Sequence, residues 1–469
     1  MSQLTKLENE LDMENIFSHE EETATTRKKA LKLNLFWICV IWVFTFTAFS
    51  GLQNLEASLV PQFGVYSLAA ITGGGLVSCI VAPAVITAIG AKGALIVSWI
   101  CLGIFVAANY YPKAYILIPG AAIEGLSTGL MWTAEGAFLA TISLEYSQII
   151  GDSMDNVISK FFGIFCMGFQ STQIWGNVIS SGVLHEGASR TGSGNNTKDP
   201  HSFCGANYCP MHQRTGNVSE RAPSLPAQWR QDVLISIYLG VTIIGLVITI
   251  FLLKPLKAAP PSGVSIGHQL LATLRLLVTN LNMALLVPFS MYTGMEQVIM
   301  YAEFTKAYVT CTLGISYIGF TMICFGVVNT VVSPLIGMVG KYLGRLILCY
   351  IAMALNLGIL AVLLYWPLDP GEIYVFFFIP GVWGLADAIW QTQSGALIGS
   401  IFYDQQEPAY ANLRMWQALG FTITYLYSNS MCEFVKLYIT AGVLVLSIVL
   451  LTVVELRVKK GKLVIARVI

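Results

Sequence analysis

The sequence predicts an all-α integral membrane bundle of twelve spanning helices arranged as two six-helix halves. Three observations predict it. Of the 469 residues only 11% are charged and 55% are hydrophobic, where soluble domains carry about 25% charge; the mean hydropathy is +0.68. Twelve apolar runs recur, each near the length that 1.5 Å per residue needs to cross about 30 Å of hydrocarbon. The two halves of the chain also repeat one another. Net charge is zero, so nothing in the composition attracts a nucleic acid.

The runs are 34–53, 65–89, 94–111, 115–143, 158–184 and 232–253 in the first half. In the second they are 276–304, 316–339, 346–366, 373–402, 411–431 and 436–456. The fourth and tenth are long enough to imply tilt, or a break near Pro119 and Pro380. These runs divide the chain into a polar tail (1–33), a first half (34–253), a linker (254–275), a second half (276–456) and a short basic tail (457–469). No short apolar core with a small-residue cleavage site opens the chain, so the first run is expected to act as an uncleaved membrane signal. With a cytosolic N-terminus, 18 of the 26 Lys and Arg residues fall on the inner side, and five of the other eight lie in one long loop that weighs little in the positive-inside rule. Both termini are therefore expected in the cytosol.

The repeat rests on three matches in the same order. Phe46-Thr-Ala-Phe-Ser-Gly-Leu-Gln53 parallels Phe289-Ser-Met-Tyr-Thr-Gly-Met-Glu296. Pro83 precedes Gly93 by ten residues, as Pro334 precedes Gly344. Ile118-Pro-Gly with Gly125-Leu parallels Ile379-Pro-Gly with Gly384-Leu. Parallel six-helix repeats are the plan of the major facilitator fold. Gly337-Met-Val-Gly-Lys341-Tyr-Leu-Gly344-Arg345 resembles the short cytoplasmic loop motif of that superfamily, in which glycines allow a tight turn and basic residues hold the inner helix ends. The superfamily pattern has an Asp before the first basic residue; here Gly340 stands there, which puts the usual gating role of the loop in doubt. Read without the family, the same residues are positive-inside anchors.

A charge at the bilayer centre costs a few kcal/mol or more, so carboxylates inside the runs are the sharpest chemical signal. The candidates are Glu124 and Glu135 in the fourth run, Glu296 in the seventh and Asp387 in the tenth. Glu124 and Glu135 are three helical turns apart and share a face. They fit a proton relay or cation site, or else neutral hydrogen-bonded acids that hold helices together. No Lys, Arg or His is expected in the middle of a run, so a counter-ion is not evident. Gln391 joins Gln53, Asn54, Gln170, Gln173, Asn177 and Gln393 as amides suited to interhelical hydrogen bonding or solute contact.

The long loop 185–231 is expected outside. It carries two glycosylation acceptors, Asn195 and Asn217, and between them Cys204 and Cys209, expected to close a small disulfide loop in an oxidising compartment. The other eight cysteines lie in or beside apolar runs and read as small apolar residues. No zinc-site spacing, phosphate loop or nucleophile elbow is present, so neither metal, cofactor nor enzymatic activity is expected.

Several stretches together resemble the Unc-ninety-three family, homolog-A members above all. They are Phe161-Phe-Gly-Ile-Phe with Phe169-Gln-Ser and Ile174-Trp-Gly-Asn177; Cys204-Gly-Ala-Asn-Tyr-Cys209; Tyr308-Val-Thr-Cys-Thr-Leu-Gly-Ile315; Val382-Trp-Gly-Leu-Ala-Asp-Ala-Ile-Trp-Gln-Thr-Gln393; and Leu413-Arg-Met-Trp-Gln-Ala-Leu-Gly420. The resemblance implies a divergent major facilitator fold in the plasma membrane or an endosomal membrane. It implies a role as regulator of a potassium channel or as escort of another membrane protein. The intramembrane acids leave a second expectation open, a secondary carrier of a small solute, with protons as coupling ion.

Overall fold

A computed structural model describes residues 2–59, 64–184, 203–210, 227–256, 271–314 and 317–468. The described chain is helical almost throughout. Helix α1 spans Ser2–Leu59, α2 Gly64–Ala108, α3 Ala114–Ile150, α4 Met154–Leu184 and α5 Gln228–Phe251. After the linker come α6 (Ala272–Thr279), α7 (Leu281–Leu285) and α8 (Val287–Val298). The last continues as a π-helix over Ile299–Thr310. Then follow α9 (Ile318–Leu343), α10 (Arg345–Tyr365), α11 (Ile373–Ile401), α12 (Gln406–Ser428) and α13 (Glu433–Val468). Among the described residues eight helices are long and apolar enough to cross a membrane, or nine if the bent pair at the start of the second half is one span.

The helices are inside out relative to a soluble bundle. Ile243 and Val247 on α5, Ile347 and Ile351 on α10, and Val445 and Val449 on α13 are exposed. Each pair is spaced i, i+4 and so forms an apolar stripe of the kind that lipid covers. Polar side chains such as Gln170, Asn329, Asn356 and Asp387 are instead fully buried, because hydrocarbon leaves an outward polar group without a partner.

Two glycines set the turns at one end of the bundle. Helix α2 is about 67 Å of chain at 1.5 Å per residue, and Gly90 breaks it with φ 74° and ψ 161°. Gly344, between α9 and α10, takes nearly the same conformation, φ 79° and ψ 152°. This region is essentially closed to residues with a Cβ. By backbone geometry the counterpart of Gly344 is thus Gly90, not the Gly93 that the proline spacing selects. A second departure is at the seventh run. Its first residues form α6, bent by 89° from the segment Leu281–Thr310 that follows. Asn280 marks the corner, its side chain accepting the backbone N–H of Asn282 at 3.0 Å, and Pro288 follows near the start of α8. Pro119 and Pro380 lie inside unbroken helices.

The two sets of helices meet along α4 against α9 and α2 against α12. Gly337 serves the first contact: a Cβ there would lie 2.7 Å from the Ser159 carbonyl oxygen. This residue of the loop motif therefore lets two backbones touch.

Candidate functional site

Between the halves lies a cavity of about 110 Å³, against the 10–15 Å³ by the same measure that one water occupies. Its wall comes from α1, α2, α3 and α4 on one side and from α8, the π-helix, α11 and α12 on the other. Six aromatic rings and five glutamines line it, and the one charged residue in the wall, among the described residues, is Arg414.

Arg414 is the counter-ion that the sequence did not disclose. It sits eight residues past the start of α12 rather than in an inner loop, because the helix begins at Gln406. Its Nη2 donates to Glu135 Oε2 at 3.3 Å and its Nη1 to Gln417 Oε1 at 2.7 Å. The guanidinium carbon lies 4.5 Å from the centre of the Trp132 ring, a cation–π arrangement. Glu135 is completely buried behind it, while Arg414 keeps 12% of its side chain accessible. The pair ties α3 to α12 across the two halves.

Asp387 is held differently. Gln297 and Gln391 donate to Oδ1 at 3.2 and 3.0 Å. Gln170 donates to Oδ2 at 2.8 Å, and Asn329 donates to the same oxygen. Four N–H donors fill the acceptor sites of a carboxylate, so any replacement that places an N–H here meets donors with a donor. Gln170 comes from α4, making a second tie between the halves. Glu296, next to Asp387, accepts from Trp383 Nε1 at 2.7 Å and has a second oxygen with no partner. Glu124 is satisfied within its own helix by Ser127 and Thr128 at 3.2 and 3.4 Å. None of the four acids lines the cavity; Arg414, Gln297 and Gln391, which hold Glu135 and Asp387, do. Among the other amides, Asn54 bridges Gln173 and Asn177 at 3.0 and 3.2 Å.

At the end of the bundle marked by Gly344, the loop motif finds its acids elsewhere. Arg345 donates to Asp155 of α4 at 3.3 Å, to Glu455 of α13 at 3.1 Å and to Ser400 of α11 at 2.9 Å. The missing local acid is thus replaced by carboxylates from two other helices. Lys341 lies within α9, and its side chain falls outside the described residues.

The opposite end corrects the disulfide expectation. Cys204 pairs with Cys311, and Cys209 with Cys432; the two loop cysteines do not pair with each other. The Gly205–Asn207 turn between them is thereby stapled to the end of the π-helix and the start of α13. Tyr208 adds its carbonyl, which accepts the Glu433 N–H at 2.9 Å. Beneath this cap Lys436 is fully buried, donating to Glu303 at 2.5 Å and to Glu433 at 3.0 Å. In the sequence Glu303 and Lys436 stand at the ends of the seventh and twelfth runs and Glu433 just outside them, where charges are ordinary, so the pattern does not single this cluster out. Asn195 and Asn217 lie outside the described residues.

Helices of this length, polar residues turned inward and a cavity between two helix sets define a multi-pass membrane protein with the fold of major facilitator transporters. FucP, a Major Facilitator Superfamily transporter in the outward conformation, matches with a TM-score of 0.59, covering 91% of this chain and 99% of that chain at 14% identity. The human organic anion transporter MFSD10 matches at 0.63, over 90% and 99%, at 12% identity. At such identities the likeness is one of fold. The sequence says more. The family described as ion channel regulatory protein UNC-93 matches residues 56–454. Protein unc-93 homolog A of Xenopus laevis is 36% identical over 431 residues, 90% of this chain and 92% of that protein. The chain belongs to the UNC-93 family. A Caenorhabditis elegans relative named as a potassium channel regulatory protein, unc-93, is 29% identical over 455 residues, 94% of this chain and 63% of that protein.

Proposed function

We propose that this protein is a non-enzymatic membrane regulator, modulating a potassium channel or the trafficking of another membrane protein. Family membership over nearly the whole chain, with a relative named for potassium channel regulation, carries the reading. The apolar stripes on α5, α10 and α13 offer lipid-exposed helix faces to a partner within the bilayer. Co-expression with a potassium channel should change whole-cell current or channel surface abundance by about fivefold or more, the lower end of the coupling range of regulatory ligands. If current and surface abundance are unchanged across a panel of potassium channels, and no other membrane protein changes its surface abundance on expression of this chain, the regulator reading fails.

The layout that goes with it has twelve spans, six in each of 34–253 and 276–456, with 254–275 and both tails cytosolic and 185–231 outside. Support comes from the break in α2 at Gly90, which divides a helix long enough for two passes, and from its counterpart at Gly344. An N-terminal epitope should resist protease in intact cells. Changing Asn195 and Asn217 to Gln should abolish a glycosidase-sensitive mobility shift; cleavage of the epitope would reverse the orientation.

The second reading is a secondary carrier of a small solute, with protons as coupling ion. The cavity between the halves, bridged by Arg414–Glu135 and Gln170–Asp387, favours it. Solute uptake measured in the same cells as the potassium current separates the two.

A further inference from the structure

We infer that the central cavity is a binding site for a small amphipathic organic anion, an aromatic carboxylate in its simplest form, with Arg414 as the group that recognises the charge. The cavity wall has two chemical parts. Aromatic rings of Phe46, Phe49, Phe169, Tyr301 and Phe421 give it an apolar body, which suits a flat hydrophobic moiety. The same wall holds a single cation, and no carboxylate joins it there among the described residues.

The guanidinium is prepared but not used up. Of its five N–H donors, Nη1 gives one bond to Gln417 and Nη2 one to Glu135, and the buried Nε has no partner. Trp132 lies against the guanidinium, and the second hydrogens of Nη1 and Nη2 remain for a ligand. A planar fork of donors is what recognises a carboxylate. Glu135 lies behind, fully buried, where it neutralises the arginine at rest without closing the cavity to an anion. A cationic solute would meet Arg414 with no compensating carboxylate in the wall, and a neutral one would leave the spare Nη donors facing no charge.

Glu135 and a bound anion are competitors for one cation, and this gives the inference a signature that a purely structural ion pair lacks. Removing the negative charge of Glu135 should strengthen anion binding. The site stands apart from the regulatory reading: its failure would leave the potassium-current result untouched, and the reverse holds too.

The test uses the purified full-length protein in detergent at pH 7.4, with 2-naphthoate as probe and the uncharged 2-naphthamide as its shape control. Binding is read by calorimetry, with monodispersity checked by gel filtration. Wild type should bind naphthoate at least about tenfold more tightly than the amide, the scale of one charge-assisted contact. E135Q should tighten naphthoate binding by about tenfold or more, as one desolvated charge ceases to compete, and leave the amide unchanged. The charge-neutral pair E135Q/R414Q should bring naphthoate down to the amide's affinity. Wild type needs no variant for a second measurement: naphthoate should protect Arg414 from phenylglyoxal, read by mass spectrometry of the modified peptide. Equal binding of acid and amide, no naphthoate binding by monodisperse protein, weaker naphthoate binding in E135Q, or unprotected Arg414 would each overturn the inference. Partition into detergent gives itself away as binding indifferent to both variants, and counts against it likewise.

Discussion

Replacing Arg414 by Gln should lower the stability of the protein by about 3–5 kcal/mol, the usual cost of leaving one member of a buried pair alone. Glu135 is completely buried and one of its oxygens already has no partner, so loss of the guanidinium leaves the carboxyl group neither water nor cation. The converse change is milder. In Glu135→Gln the arginine keeps Gln417 and the Trp132 face and borders a cavity that can hold water, so a loss of about 1 kcal/mol is expected, the size of one hydrogen bond. Combining the two changes should recover most of the first loss. Unfolding midpoints in detergent for the two single variants and the double complete the cycle. Equal losses for both singles, or strict additivity in the double, would show that the pair does not stabilise the contact between the halves.

The second large effect belongs to the disulfides. Had Cys204 paired with Cys209, the bridge would have closed a tiny loop and removal would have cost little. The bridges present close sequence separations of 107 and 223 residues, and long loops gain most from a cross-link. Changing Cys311 or Cys432 to Ser should therefore cost about 2–5 kcal/mol each. It should also free the Gly205–Asn207 turn, exposing the buried Glu303–Lys436–Glu433 cluster to water. Non-reducing peptide mapping should recover the 204 peptide joined to the 311 peptide and the 209 peptide joined to the 432 peptide. A 204–209 cross-link would refute the assignment outright.

The fold was largely legible because lipid enforces a simple code. Runs of apolar residues mark helices, and acids such as Glu135 and Asp387 stand out against them. The partners of those acids were harder to see. Arg414 looked like a basic residue at the mouth of a run, since the true start of α12 lies in the polar stretch Gln406–Tyr410. Asn329 and Gln170, which hold Asp387, are neutral amides of a kind found in many spans, and only the packing of α4 against α9 and α11 brings them to one carboxylate. The cysteine pairing was missed for another reason. Cys311 and Cys432 border apolar runs and read as small core residues, although the orientation placed all four cysteines on the same side of the membrane. Spacing suggested the nearest partner; tertiary structure chose the distant ones.

That choice has a consequence for biosynthesis. Of the four bridged cysteines the ribosome delivers Cys204 and Cys209 first, Cys311 only 107 residues after Cys204 and Cys432 223 residues after Cys209. At about 5–20 residues per second, some 5–20 s pass before Cys311 follows, and in that time Cys204 and Cys209 have chiefly one another for company. Any bond they form in that interval is the wrong one and must be undone by thiol–disulfide exchange. Maturation of this protein should accordingly depend on an isomerase and not merely on an oxidant. A nascent chain halted before Cys311 should carry a 204–209 bridge that the finished protein lacks.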